Sequence, residues 1–431
     1  MTVQAKGEGR FTITREDRVV LEAVEEMGPS LIARAVAWSE INSGSNNLAG
    51  LRTVAERLRP ALAALGGKLE SLPLDDVTTI DARGETITSP AGQCLHVQVR
   101  PDAPVQVALT GHYDTVFPAD SAFQNVSQRP DSALNGPGIA DMKGGISVML
   151  GALEAFERHP LAANVGYQLL LSPDEETGSL GSAPVLAAIG KQCHVGMTYE
   201  PALSDGTLVS ARKGSGNYHI VVRGRTAHAG REFAMGRNAL ATAARLAAAL
   251  ADLNGQRDEL TVNIACIDGG GPLNTVPDLA VLRFNVRLPD LAAEAWMREK
   301  LSALVSAHQG DGISITVHGG ISRPPKLFFP AQQNLFEDIR HVGALLDQSI
   351  EWRPSGGVCE GNNLLAQGLP GADTLGVRGG DIHSDQEFAW PESFIERASL
   401  SALILCKLAS GEIDAIALRT QLEREMHAAR P

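Results

Sequence analysis

Val105-Gln106-Val107-Ala108-Leu109-Thr110-Gly111-His112-Tyr113-Asp114 is an apolar run that ends on a histidine and an aspartate. The same arrangement recurs downstream. Residues 165–172 run into Pro173-Asp174-Glu175-Glu176, residues 195–199 into Glu200-Pro201, and residues 374–378 into Gly379-Gly380-Asp381-Ile382-His383. Each run reads as a buried strand with its polar side chain at the carboxyl end. In open α/β sheets that end is where ligands and catalytic groups gather, because the loops leaving the strands converge on one crevice. One such loop would mean little. Four that deliver His, Glu, Glu and His describe a hydrolytic metal site.

The 431 residues exceed one ordinary core, so about two domains are expected. A hydrophobic fraction of 44% and a charged fraction of 20% belong to a globular chain, neither disordered nor membrane-embedded. With 37 Lys and Arg against 50 Asp and Glu, the net charge of −13 argues against a nucleic-acid partner. The polar opening 1–18 lacks a signal-peptide core, and no stretch reaches the roughly 20 apolar residues of a membrane helix. The expected location is cytoplasmic, without a membrane partner. Cys94, Cys193, Cys266, Cys359 and Cys406 are odd in number and never form Cys-x-x-Cys, which suits reduced thiols.

Helical spacing over 19–41 and 47–65 precedes strands and helices in alternation: 94–100, 105–110, a helix over 144–158, 165–172, a helix over 182–189, and 195–199. This is the rhythm of a layered α/β domain. From 216 the order becomes strand 216–224, helix 236–253, strands 260–267 and 279–288, helix 291–308 and strand 313–318. That is the ferredoxin-like pattern of an inserted unit. The remainder returns to α/β alternation and supplies His383, so the first and last thirds must join around one crevice. The expected domains are a catalytic first part over 1–210, an inserted α+β unit over 211–322, and a catalytic second part over 323–431. The fold class is α/β, a mixed sheet flanked by helices, plus the ferredoxin-like insert.

His112 precedes Asp114 by two residues, a spacing at which the carboxylate can hold the imidazole; alone it also suits a satisfied loop histidine. Asp141, in the glycine-rich loop 135–145, can cap the following helix or bridge two cations about 3.5–4 Å apart. The acids 174–176 can be a solvated helix start. Equally, adjacent Glu side chains diverge, so one can ligate while its neighbour stays free as a general base. Glu200 and His383 complete a set of borderline-to-hard donors without thiolate, which suits catalytic Zn²⁺ and leaves Co²⁺ or Mn²⁺ possible.

The segments GHYD (111–114), GIADMKGG (138–145), SPDEETGS (172–179), YEPA (199–202), RTAHAG (225–230) and GGDIHSD (379–385), in this order, resemble the zinc-dependent M20-type metallopeptidase family, which includes carboxypeptidase G2, acetylornithine deacetylase and succinyl-diaminopimelate desuccinylase. The resemblance covers about 30–410. It implies two Zn²⁺ per chain, with His112 and Glu200 on one, Glu176 and His383 on the other, and Asp141 between them. Asp114 would orient His112, and Glu175 would be the general acid/base. The insert would form a homodimer, and His228 would reach the partner's site to donate to the tetrahedral oxyanion. Alternation over 279–288 puts Arg283, Asn285 and Arg287 on one face. The family uses the residues matching Arg287 and Asn274 to hold a substrate carboxylate, a duty for which Arg323 is a further candidate. Two segments depart from the family pattern: Asn135-Gly136-Pro137-Gly138 stands where Gly-Arg-Gly is usual, and Gly356-Gly357-Val358-Cys359-Glu360-Gly361-Asn362 where Gly-Gly-Thr-Ser-Asp-Gly-Asn is usual. The expected activity is cleavage of an amide next to a free carboxylate in a small molecule or peptide, as a carboxypeptidase or alternatively an N-acyl-amino-acid deacylase. A non-catalytic binding protein on the same scaffold would betray itself by a lost ligand or a lost Glu175, and none is missing.

Overall fold

The computed structural model describes residues 10–429; residues 1–9 of the polar opening and 430–431 lie outside it. Among the described residues no helix is long and apolar enough to cross a membrane. The first strands are β1 (Lys68–Pro73), a hairpin of β2 (Val77–Ile80) and β3 (Thr86–Ser89), then β4 (Gln93–Val99), β5 (Val105–His112), β6 (Val165–Ser172) and β7 (Val195–Thr198). Without the hairpin they form one mixed sheet in the order β1-β4-β6-β5-β7, closed at its far edge by Gly371–Ala372. β5 runs parallel to β6 and β7, whereas β4 runs antiparallel to β6.

Helices on both faces explain why these strands read as continuous apolar runs. Leu95, Val97, Val107, Leu109, Leu169 and Leu171 point into the larger core, which contains helices Arg15–Ser39, Gly145–Phe156 and Glu392–Ser410. Their alternates Cys94, Ala108 and Leu170 point the other way, onto Leu186, Ile189 and Leu364 of helices Ala183–Gln192 and Glu360–Leu365. One strand expectation fails. Residues 374–378 belong to no ladder strand; Leu375 and Gly376 donate singly to the carbonyls of Thr198 and Glu200, Arg378 makes an isolated bridge with Ala202, and the paired strand is Gly371–Ala372, just upstream. His383 therefore comes from a hairpin loop between Gly379–Gly380 and Phe388–Ala389, not from a sheet-strand end.

β8 (Gly214–Arg223), β9 (Thr261–Gly269), β10 (Leu279–Leu288) and β11 (Ser314–Arg323) form a second sheet, antiparallel throughout, in the order β9-β10-β8-β11. With helices Ala239–Ala251 and Leu291–His308 this is the ferredoxin-like arrangement. Ile220, Val222, Leu282, Phe284 and Val286 face the helices in a core of their own. The helix-free face is divided along its length. At one end Val221 and Val281 are covered by Ile80 of the β2–β3 hairpin, and Arg283 donates to the Ile80 carbonyl at 3.3 Å. At the other end Ser215, Asn217, Asn285 and Arg287 look into a cleft of about 660 Å³ against the first sheet.

Candidate active site

β5 delivers His112 fully buried, and the turn after it places Asp114 beneath. Asp114 is 0% exposed and holds four groups at once. Its Oδ1 lies 3.3 Å from His112 Nδ1, its two oxygens accept the Glu175 and Glu176 backbone N–H groups at 3.2 Å each, and Ser45 donates to Oδ2 at 2.7 Å. A partner on Nδ1 leaves Nε2 aimed into the site.

Asp141 caps no helix. The following helix starts at Gly145, and Asp141 sits in an irregular turn with non-helical backbone angles. Its Oδ1 is 3.1 Å from His112 Nε2, and its Oδ2 is 3.3 Å from His383 Nε2. His383 Nε2 is also 3.2 Å from Glu176 Oε2, and Glu200 Oε1 lies 3.9 Å from His112 Nε2, buried and without a hydrogen-bond partner. Burial and the nearby Asp141 push Glu176 up to about 8. Burial also raises Glu200, to about 7. Hydrogen bonds to Asp141 and Glu176 lift His383 to about 10. For His112 burial works against charge, but Asp114, Asp141 and Glu200 more than reverse it. So many acids in so little water ask for cations, and all five donors are oxygen or imidazole nitrogen: a set that fits two borderline metal ions sharing Asp141.

Glu175 stands beside this cluster without joining the contacts of Asp141 or His383. Its Oε1 accepts from Arg323 Nη2 at 2.6 Å, and the same nitrogen reaches the Glu175 carbonyl at 3.1 Å and Ser179 Oγ at 2.9 Å. Arg323 Nη1 donates to Asn363 Oδ1 at 2.8 Å, and the side chain is 1% exposed. The residue named as a candidate for substrate carboxylate is thus already engaged, and its contacts aim Glu175.

Arg287 lines the cleft with Nη1 buried and unpartnered, and its guanidinium is held below its ordinary value by burial and then by Arg323. Asn274 and His228 are not there. β8 enters the cleft at Ser215 and leaves it along its length, so its end at Arg223 is about 26 Å away at about 3.3 Å per residue. His228 pairs with Thr275 beyond that far end, and Ala229 N–H donates to the Asn274 carbonyl at 2.8 Å. His228 Nδ1 accepts from the Gly230 and Arg231 N–H groups at 3.1 and 3.2 Å, which puts the ring proton on Nε2 as an exposed donor.

Glu387 was missed from sequence. It is 1% exposed, and its carboxylate accepts from the N–H groups of Gly138 (3.0 Å), Ala140 (2.9 Å) and Asp141 itself (3.0 Å). Burial, then Asp141, push it up to about 7. Its only sequence signal is an acid four residues after His383, against the apolar Phe388-Ala389-Trp390. In the departing segment Cys359 caps helix Glu360–Leu365, Glu360 is buried on Ser172, and Val358 lines the cleft.

The model of "Peptidase family M20/M25/M40" matches residues 108–407. Carboxypeptidase G2 of Pseudomonas sp. (strain RS-16) is 23% identical over 413 residues, 94% of this chain and 95% of that one. A succinyl-diaminopimelate desuccinylase of Granulibacter bethesdensis is 28% identical over 282 residues, 61% of this chain and 68% of that one. An M20 family metallo-carboxypeptidase from Sulfolobus solfataricus shares the fold with a TM-score of 0.66 at 15% identity, over 87% of this chain and 98% of that one.

Proposed function

We propose, for a chain that belongs to peptidase family M20/M25/M40 and is therefore a metal-dependent hydrolase of amide bonds, that it is a dizinc enzyme cleaving an amide beside a free carboxylate. The observation that carries the dinuclear reading is Asp141, whose two oxygens face two different imidazoles. His112 and Glu200 would hold one ion and Glu176 and His383 the other. Bound there, such a pair acidifies water towards neutral pH and polarises an amide carbonyl.

The chain's own groups do the rest. Glu175, oriented by Arg323, takes the proton of the attacking water and hands it to the leaving nitrogen, so one carboxylate serves both steps. Arg287, with a buried unpartnered Nη1, receives the substrate carboxylate as a guanidinium fork. His228 Nε2 donates to the oxyanion of a partner chain's site, since its own cleft lies a strand's length away, and the insert is the dimer contact. A carboxypeptidase releasing a C-terminal amino acid is the first reading, supported by the end-to-end likeness to carboxypeptidase G2. An N-acyl-amino-acid deacylase uses the same groups and is the second. The test is hydrolysis of N-acyl amino acids and dipeptides by zinc- or cobalt-loaded protein, each beside its C-terminal carboxamide. Free acids should be cleaved and carboxamides slowed by at least about tenfold, since loss of a buried charge-assisted pair costs more than about 1.4 kcal/mol. Equal rates would refute the carboxylate assignment.

A further inference from the structure

A second cavity, of about 680 Å³, opens between the start of helix Glu392–Ser410, the turn at 203–207 and the loop at 346–350, and it shares no lining residue with the cleft. Its floor is Arg397. The side chain is 1% exposed and Nη2 donates to the Gly206 carbonyl at 2.7 Å, but Nε and Nη1 have no hydrogen-bond acceptor among the described residues. Glu396 Oε1 lies 3.4 Å from Nε, while the other oxygen of that carboxylate already accepts from Arg378 Nε at 3.0 Å. Burial pulls the Arg397 guanidinium down to about 10, so it still carries its charge at neutral pH. Buried charges are ordinarily both paired and hydrogen-bonded. Two free donors on one buried guanidinium therefore call for an acceptor that the described residues do not supply.

A simple anion does not suit the place. Glu25, Asp205, Asp347 and Glu392 line the cavity as exposed acids and would repel a phosphate or sulfate. Arg378 does not offset them, because its Nη2 is on Glu392 at 3.2 Å and its Nη1 on the Ser204 carbonyl at 3.3 Å. Gln348 adds a second unmatched group of opposite kind. Its amide nitrogen donates to the Glu396 carbonyl at 2.9 Å, which leaves Oε1 buried and without a donor.

The cavity thus offers free donors at its floor and a free acceptor backed by carboxylates, with Leu346, Ile350 and Ile395 as apolar surface between them. A few convergent polar groups on an apolar lining are what small-molecule sites present. A carboxylate, an ammonium and an apolar body, held within a few bonds of one another, meet in a free α-amino acid. The turn that Arg397 holds also borders the cleft: the Gly206 N–H donates to the Leu203 carbonyl at 2.7 Å, and Leu203 lines the cleft.

We propose that this cavity is a second binding site, for a free α-amino acid with an aliphatic side chain. Its carboxylate sits on Arg397, its ammonium faces Gln348 Oε1 and the acids of the rim, and its side chain lies on Leu346, Ile350 and Ile395. The site is separate from the metal cluster and from Arg287, and its occupant is not consumed.

The test reads binding without turnover, so it holds whatever becomes of the reaction assigned above. Equilibrium dialysis of the full-length zinc-loaded protein against labelled L-leucine should show a saturable site that survives Arg287→Met, which removes the guanidinium of the cleft, and is lost with Arg397→Met. Loss with Arg287→Met or retention with Arg397→Met would put leucine elsewhere and overturn the site, as would no saturation by about 10 mM. Ser349→Trp, at an exposed position on the lining, fills the mouth without touching the buried guanidinium. It should abolish the site as well, which decides the matter if Arg397→Met does not fold, and undiminished binding there would refute the placement. L-leucinamide, without the carboxylate, and 4-methylpentanoate, without the ammonium, should each compete at least about tenfold more weakly than L-leucine. Equal competition by either would show that the occupant is not held at both ends.

Discussion

Replacing Glu387 tests whether the metal cluster is held by its loops or only by its ligands. Its two oxygens take three buried backbone N–H groups, one of them from Asp141. Each donor stranded by Glu387→Ala costs about 1–3 kcal/mol, so three at the low end come to about 3 kcal/mol of stability, reduced where water enters. Glu387→Gln keeps one oxygen for Ala140 and Asp141 and turns an amide against Gly138, for about 1 kcal/mol. Metal affinity should fall further than stability predicts. Outer partners of ligands are commonly worth 10–100-fold, and Glu387 joins the loop of Asp141 to the loop of His383, so both ions are affected. The assay is competition for zinc against a chromophoric chelator at pH 8, above the value near 7 to which burial lifts this carboxyl, with thermal melts of the metal-free protein alongside. A folded Glu387→Ala protein with wild-type zinc affinity would refute the reasoning.

Elemental analysis after zinc loading should find about two ions per chain, and Asp141→Ala should reduce occupancy of both; a ceiling near one would remove the bridging role. Glu175→Gln should lower kcat by at least about a hundredfold with metal retained, whereas zinc lost with activity would make Glu175 a ligand. His228→Ala should cost about two to three orders of magnitude in kcat, and mixed dimers with Glu175→Gln should recover roughly half of wild-type activity; mixed dimers that stay inactive would place His228 in cis. Far from the site, buried Lys407 donates to Asp17 Oδ2 at 2.9 Å, and Lys407→Met should destabilise by about 3 kcal/mol, the low end for a broken buried pair, because the Thr14 N–H at 2.8 Å and His159 Nε2 at 3.5 Å stay beside the acid. Burial pushes Asp17 up, but hydrogen bonds from Lys407 and Thr14 outweigh it and hold it below its ordinary value, so the pair's contribution is present above about pH 4 and is lost below it. Urea unfolding should show the two proteins converging as pH falls, and a constant gap would discount the ion pair.

Three of the proposed metal ligands, His112, Glu176 and Glu200, were legible because each closes or follows an apolar run whose burial and length announce a strand. The run 374–378 misled by the same rule: Leu375 and Val377 are buried like strand residues, yet they pack at a loop whose ladder is only Gly371–Ala372. Periodicity reports burial, not hydrogen-bond partners. Contacts between side chains far apart in sequence left no trace at all. Arg323 and Glu175 are 148 residues apart, and Glu387 serves an N–H 246 residues before it, so neither could be found from spacing. Alternation over 279–288 did place Arg287 on the polar face, because there a period of two settles the matter.

The β2–β3 hairpin gives the insert a third point of attachment. The covalent links near 213 and 324 would by themselves form a simple two-stranded hinge. Ile80 against Val221 and Val281, with Arg223 reaching Glu85 at 2.8 Å, adds a strut from the catalytic body to the far half of the insert's sheet. A swing that widens the cleft must either carry this hairpin along, bending the chain on both sides of it, or slide a small apolar contact apart. The strut therefore acts as a governor on gape: weakening it should let the jaw open wider and shed product sooner, and stapling it should slow release while leaving the bond-breaking groups where they are.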